Sequence, residues 1–237
     1  MTCLIAHGAP DRRFLAPGCG IPFRCLSDRG LSDITFGIYS EYISHSNPEI
    51  LGVFAEIKRK LPNWKEVVLE ELYLSKIAHF NTILAETANE SQIWKAQHRT
   101  LAPQTNIVYS VCSRSSLRQY MMSAAQKTRA INIFKAVFSK VDLVITPTTA
   151  CLPKEIDPAS LTYGELDETN LLWTMWFVYL ANLCGLPSMT VNAGYSASGL
   201  PVGVMITGPW WSEELVLSAA RGLETQLAKP ARFYCPL

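Results

Sequence analysis

The chain has no C-x-x-C pair, no cluster of lysine and arginine interleaved with aromatics, and no apolar run of membrane-spanning length. Each absence excludes a class of function. The seven cysteines stand at 3, 19, 25, 112, 151, 184 and 235, an odd and scattered set. That pattern implies free thiols in a reducing, cytoplasmic compartment, not a disulfide framework. His7, His45, His79 and His98 share no metal-ligand spacing with one another or with a cysteine pair, so no metal centre is expected, and no cofactor. The net charge is +1, which with no basic-aromatic surface argues against a nucleic-acid partner. The densest basic run, Lys58-Arg59-Lys60, reads as a solvated helix end that complements the helix dipole. The longest nearly apolar stretch runs from Leu171 to Cys184, fourteen residues interrupted by Thr174 and Asn182. A membrane span needs about twenty, so no transmembrane segment is expected and a buried helix is. The opening MTCLIAHGAPDRRF lacks the charged start and apolar core of a secretory leader.

What is present alternates between helix and strand patterns. Residues 7–33 are punctuated by prolines and glycines and read as a loop-like connector. ITFGIY (34–39) reads as a short strand. Asn47-Pro48-Glu49 opens a helix with a cap, a proline in the first turn and an acid beside it; Ile50, Leu51, Phe54, Ile57 and Leu61 form its apolar stripe. EVVLEE (66–71) reads as a second strand, and 72–140 as mainly helical. Leu117, Tyr120, Met121, Ala124, Ile131, Phe134 and Phe138 keep helical spacing in the last part of that stretch. Residues 142–145 form a buried strand that Pro147 brings to an end. A helix over 168–184 stops at Gly185, a left-handed C-terminal residue, with Pro187 blocking continuation. Strands over 188–193 and 202–207 flank a Gly/Ser-rich bend. Ser212 is expected to cap a last helix with Leu215, Ala219, Leu223 and Leu227 on one face. The fold class is α/β: a mixed β-sheet flanked by helices.

DLVITPTTACLP (142–153) and NLCGLPSMTVNAGYSASGLPVGVMITGPWWSEELVLSAARGLE (182–224) closely resemble the C-terminal part of amidase signature hydrolases, most of all the plant-type fatty acid amide hydrolases. FGIYSEYISHSNPEI (36–50) and ELYLSKIAHFNTILAE (71–86) fit the same family, so the resemblance covers nearly the whole chain. It implies that residues 1–237 are the C-terminal portion of an amidase signature domain. It also implies hydrolysis of carbon–nitrogen bonds in small-molecule amides, including lipid amides, by a Ser–cisSer–Lys triad. The Gly-Gly-Ser-Ser-Gly-Gly-like run and the upstream lysine that carry that triad have no counterpart here. The expectation is therefore that the N-terminal catalytic half is missing and that the chain has no catalytic residue of its own.

Several residues are candidates for a role. The Ser113-Arg114-Ser115-Ser116 cluster lacks the glycines of an oxyanion loop and reads as a helix start. Lys127 lies three turns further along, too far to serve as its base. His79, in an Ala-His pair shared with the family, reads as packing or a supporting hydrogen bond. Thr146 and Thr148, at the end of a strand, admit two readings: contact with substrate, or turn chemistry. Trp173, Met175, Trp176, Phe177 and Tyr179 read as core, with a lipophilic channel as the alternative. Asp157, Glu165, Asp167 and Glu168 read as solvated charge. A sheet lacking its first half would leave an open edge, and with it self-association. The rival to an enzyme is a non-catalytic protein that binds an acyl ligand or a partner chain.

Overall fold

The computed structural model describes residues 27, 29–97, 101–165 and 167–227. Most of the expected connector over 1–33, together with Cys3, Cys19, Cys25, Cys235, His7 and His98, lies outside them. The described part of the connector ends in a 3-10 turn, Leu31–Asp33. The strands are β1 (Phe36–Ile38), β2 (Trp64–Glu66), β3 (Leu143–Pro147), β4 (Ser188–Tyr195) and β5 (Pro201–Thr207). The helices are α1 (Ser40–Ile43), α2 (Pro48–Lys60), α3 (Leu72–Ala96), α4 (Pro103–Cys112), α5 (Leu117–Phe138), α6 (Ser160–Tyr163), α7 (Glu168–Thr174), α8 (Tyr179–Cys184) and α9 (Glu213–Gln226).

The strands form one mixed sheet in the order β2-β1-β3-β5-β4. β1 pairs in parallel with β2 and β3, while β5 runs antiparallel to both β3 and β4. Pro147 occupies the last position of β3, opposite Val204. Thr148 N donates to Gly203 O of β5 (3.0 Å), so the nitrogen of Pro147, one residue earlier, faces the other side. β1 pairs with β3 only at Leu143 and Val144, so no acceptor there is left without a donor.

One face of the sheet carries Leu143, Ile145, Pro147, Val204 and Ile206, all buried. Helix α2 covers it, with Ile50, Phe54 and Ile57 buried on the expected stripe. Asn47 Oδ1 caps α2 by accepting from Glu49 N (2.9 Å). Helix α9 packs against the sheet near Leu143, close enough that a Cβ on Gly208 would meet Val216 at 2.6 Å. Full burial of a side chain such as Phe54 contributes about 1.5–3 kcal/mol, so this face accounts for much of the cohesion of the sheet. Asp142, at the head of β3, accepts from Thr35 N and Arg29 Nη1, both at 2.8 Å, and so ties the connector to the sheet.

Four local expectations need correction. The second strand is Trp64–Glu66, not 66–71: after Val67 N donates to Ile38 O the chain leaves the sheet, and Val67 and Leu69 are buried from a loop. Their alternation reflects loop packing rather than a ladder. The helix expected over 168–184 is broken into α7 and α8, because Met175 takes φ −88° and ψ 3° and closes α7. Ser212 precedes α9 without capping it by its side chain; its hydroxyl donates to Pro209 O (2.6 Å). The apolar stripe of α5 is divided: Phe134 is buried, whereas Leu117 and Met121 are exposed. Gly185 does stop its helix in the left-handed region, at φ 67° and ψ 43°.

Candidate functional site

Two constructions stand where the sheet ends. The first is a hydroxyl-bearing ledge on the sheet face away from α2. The register places Thr146 opposite Met205, and Met205 opposite Thr190; Asn192 stands opposite Gly203. Thr148 Oγ1 donates to Thr190 Oγ1 (3.1 Å), although β5 runs between their strands. They meet because Gly203 has no side chain: a Cβ there would lie 2.7 Å from Thr148 Oγ1 and 2.9 Å from Thr190 Cγ2. Thr190 and Asn192 are exposed, while Thr146 is buried and its Oγ1 has no hydrogen-bond partner. Thr148 is thus a half-exposed donor and acceptor at a strand end, and Thr146 lies beneath it.

The second is an aromatic cavity of about 180 Å³, lined by residues from three separated stretches. Tyr39, Tyr42 and His45 come from α1 and its flanks, Tyr73 and Lys76 from the first turns of α3, and Trp176 and Tyr179 from the α7–α8 junction. The break that ends α7 at Met175 turns Trp176 towards this cavity, while Phe177 goes into the core. Ala150 N donates to Trp173 O (3.1 Å), which joins the strand-end segment after Thr148 to the same junction. The Tyr42 hydroxyl donates to Trp176 O, and that of Tyr179 to Leu72 O (3.0 Å). Both hydroxyls are spent on backbone, so these rings present apolar faces. Burial pushes the Tyr179 phenol up to about 12 and raises that of Tyr42 as well, so both stay neutral. Lys76 Nζ sits 4.1 Å from the centroid of the Trp176 ring, and burial lowers its pKa.

The other residues singled out by sequence do not converge here. Ser116 accepts from Gln119 N (3.2 Å) in a capping box, and Ser113 Oγ donates to Ser110 O (3.0 Å). The cluster is a helix start. His79 is buried with its ring 6.0 Å from that of Tyr179, and burial depresses its pKa. Asp157, Glu165 and Asp167 are more than solvated charge: Lys154 pairs with Glu165 and with Asp167 (2.9 Å), Asp167 caps α7 through Asn170 N, and Asp157 Oδ1 accepts from Ala159 N. Among the described residues no group of three metal-ligating side chains comes together. None of their helices is long and apolar enough to cross a membrane. Sequence reasoning missed Lys76, Tyr39, Tyr42 and Tyr73, for which the sequence holds no local signal.

The profile of the Amidase family matches residues 23–217. A fatty acid amide hydrolase of Medicago truncatula is 31% identical over 161 residues, which is 67% of this chain and 26% of the relative. One from Arabidopsis thaliana is 28% identical over 248 residues, 98% of this chain and 41% of the relative. A bacterial aryl acylamidase of the amidase signature family superposes with a TM-score of 0.67 at 22% identity, covering 83% of this chain and 44% of that structure. The chain thus spans less than half the length of these relatives. With the profile matched over most of its length, and a mixed sheet that superposes on solved members, the chain belongs to the amidase family.

Proposed function

We propose that this chain contributes the substrate-side part of an amide hydrolase, with lipid amides as the substrate class. The observation that carries this reading is the aromatic cavity joined to the strand end bearing Thr148. Tyr42, Trp176 and Tyr179 offer apolar faces that suit an acyl group, and Thr146 and Thr148 are proposed to contact the substrate near its amide. Support comes from the family membership and from the activity named for the plant relatives. The chemistry follows the family's Ser–cisSer–Lys scheme. A serine oxygen adds to the amide carbonyl, its proton passes through the second serine to the leaving amine, and water then hydrolyses the acyl ester. Ser113 and Ser116 are committed to helix ends, and the signature run and lysine that carry the triad have no counterpart in this sequence, so the nucleophile is proposed to lie outside these 237 residues. A cytoplasmic setting accords with the free, buried thiols of Cys112 and Cys184.

A second reading is a non-catalytic protein that binds an acyl ligand or associates with itself. Exposed apolar side chains favour it: Tyr73 and Leu117 are each 74% exposed, and Met121 and Met122 each 63%. An immunoblot against residues 212–226, with fatty-acyl amide turnover assayed in the immunoprecipitate, separates the two. A band well above 26.4 kDa that releases amine supports the hydrolase. A band at that mass with no turnover supports the binding protein. Turnover by the purified 237-residue chain itself would overturn the assignment of the nucleophile elsewhere.

A further inference from the structure

The aromatic cavity holds a cation that pairs with no carboxylate among the described residues. Among the described residues that line it, Lys76 is the only lysine or arginine. Its ammonium lies half-buried over the Trp176 ring and, among the described residues, forms no ion pair. Glu41 is exposed at the rim, where its carboxylate accepts from the Tyr39 hydroxyl (3.1 Å). His45 is exposed, with its ring edge-on to Trp176 at 5.7 Å. Tyr42 and Tyr179 are neutral and bonded to backbone. Tyr73 is largely exposed.

A box of aromatic rings commonly receives a cationic ligand. Here the cation's place over Trp176 is already taken by a side chain of the protein. A partly desolvated cation without an ion pair gains from a ligand that brings an anion. The volume sets the size: about 150 Å³ of apolar cavity suffices for benzene. We propose that the cavity binds a monocarboxylate carrying one ring-sized apolar group, with Lys76 as the residue that selects the anion and the Trp176 ring as a wall for its apolar body. This deepens the acyl-pocket reading by naming the charge of the ligand, and it requires no catalysis by the chain.

The experiment is isothermal titration of the 237-residue chain with 3-phenylpropanoate, its neutral amide 3-phenylpropanamide, and benzyltrimethylammonium. The acid should bind about tenfold more tightly than the amide, a preference abolished by Lys76→Gln and kept by Lys76→Arg. Trp176→Leu should weaken acid and amide alike, with circular dichroism confirming that each variant folds. Equal binding of acid and amide would sink anion selection and leave the acyl pocket standing. Binding of none of the three would sink both. Tighter binding of the ammonium, or a preference unchanged in Lys76→Gln, would also overturn the proposal.

Discussion

Gly203 shows how one missing side chain organises a site. The Thr148–Thr190 hydrogen bond crosses an intervening strand, and only a residue without Cβ leaves room for it. Gly203→Ala should break that bond and lower the urea midpoint by an amount equivalent to about 1–3 kcal/mol, the usual cost of overpacking. Val204→Ile, on the other face, should leave the Thr pair intact. His79 gives a pH dependence. Burial holds its folded-state pKa below the ordinary value of about 6.5, so the unfolded chain binds the proton more readily. The contribution of neutral His79 to stability is therefore complete above about pH 6.5–7 and declines as the pH falls from there towards the depressed folded value. Urea unfolding between pH 8 and pH 5 should show this loss in the wild type and a smaller one in His79→Gln. Equal slopes would rule out His79 as the titrating group.

At the scale of elements, α2 is where local sequence and tertiary packing agree. Cap, proline, acidic first turn, basic last turn and apolar stripe all act as the sequence implies. Asn47→Ala should cost about 1 kcal/mol by thermal or chemical denaturation, and Asn47→Asp should restore most of it. The backbone bond from Asn47 N to Ala150 O survives both substitutions, so the effect isolates the side-chain cap. The break between α7 and α8 is the opposite case. Leu171 to Cys184 is apolar except at Thr174 and Asn182 and carries no proline or glycine to announce an interruption. The Ala150 N bond to Trp173 O and the Tyr42 hydroxyl bond to Trp176 O take up carbonyls at the break. These partners are distant in sequence, which is why periodicity alone reads a continuous helix.

At the scale of the molecule, β2 and β4 are the terminal strands of the sheet, and β4 is eight residues long. Among the described residues no strand pairs with its outer side. A long unpaired edge is a template for another strand, and the exposed residues of α3 and α5 add apolar surface. The self-association proposed above should appear in sedimentation velocity as a concentration-dependent species larger than 26.4 kDa. It should be reduced by Thr190→Pro, which removes a backbone donor from β4. A single monomeric boundary at all concentrations would count against it.

Much of the fold was legible in the sequence because capping, apolar periodicity and glycine conformation act over a few residues. They determined α2, the stop at Gly185, the β4–β5 hairpin and the helix start at Ser116. The Gly- and Pro-bearing motifs carried the family as well. Tertiary structure alone decided what crosses the chain: the path of residues 67–71, the break at Met175, the meeting of Thr148 with Thr190, and the cavity that gathers Tyr42, Lys76 and Trp176. Their positions follow from strand register and from backbone partners more than a hundred residues apart, as between Tyr42 and Trp176. No local propensity carries that information.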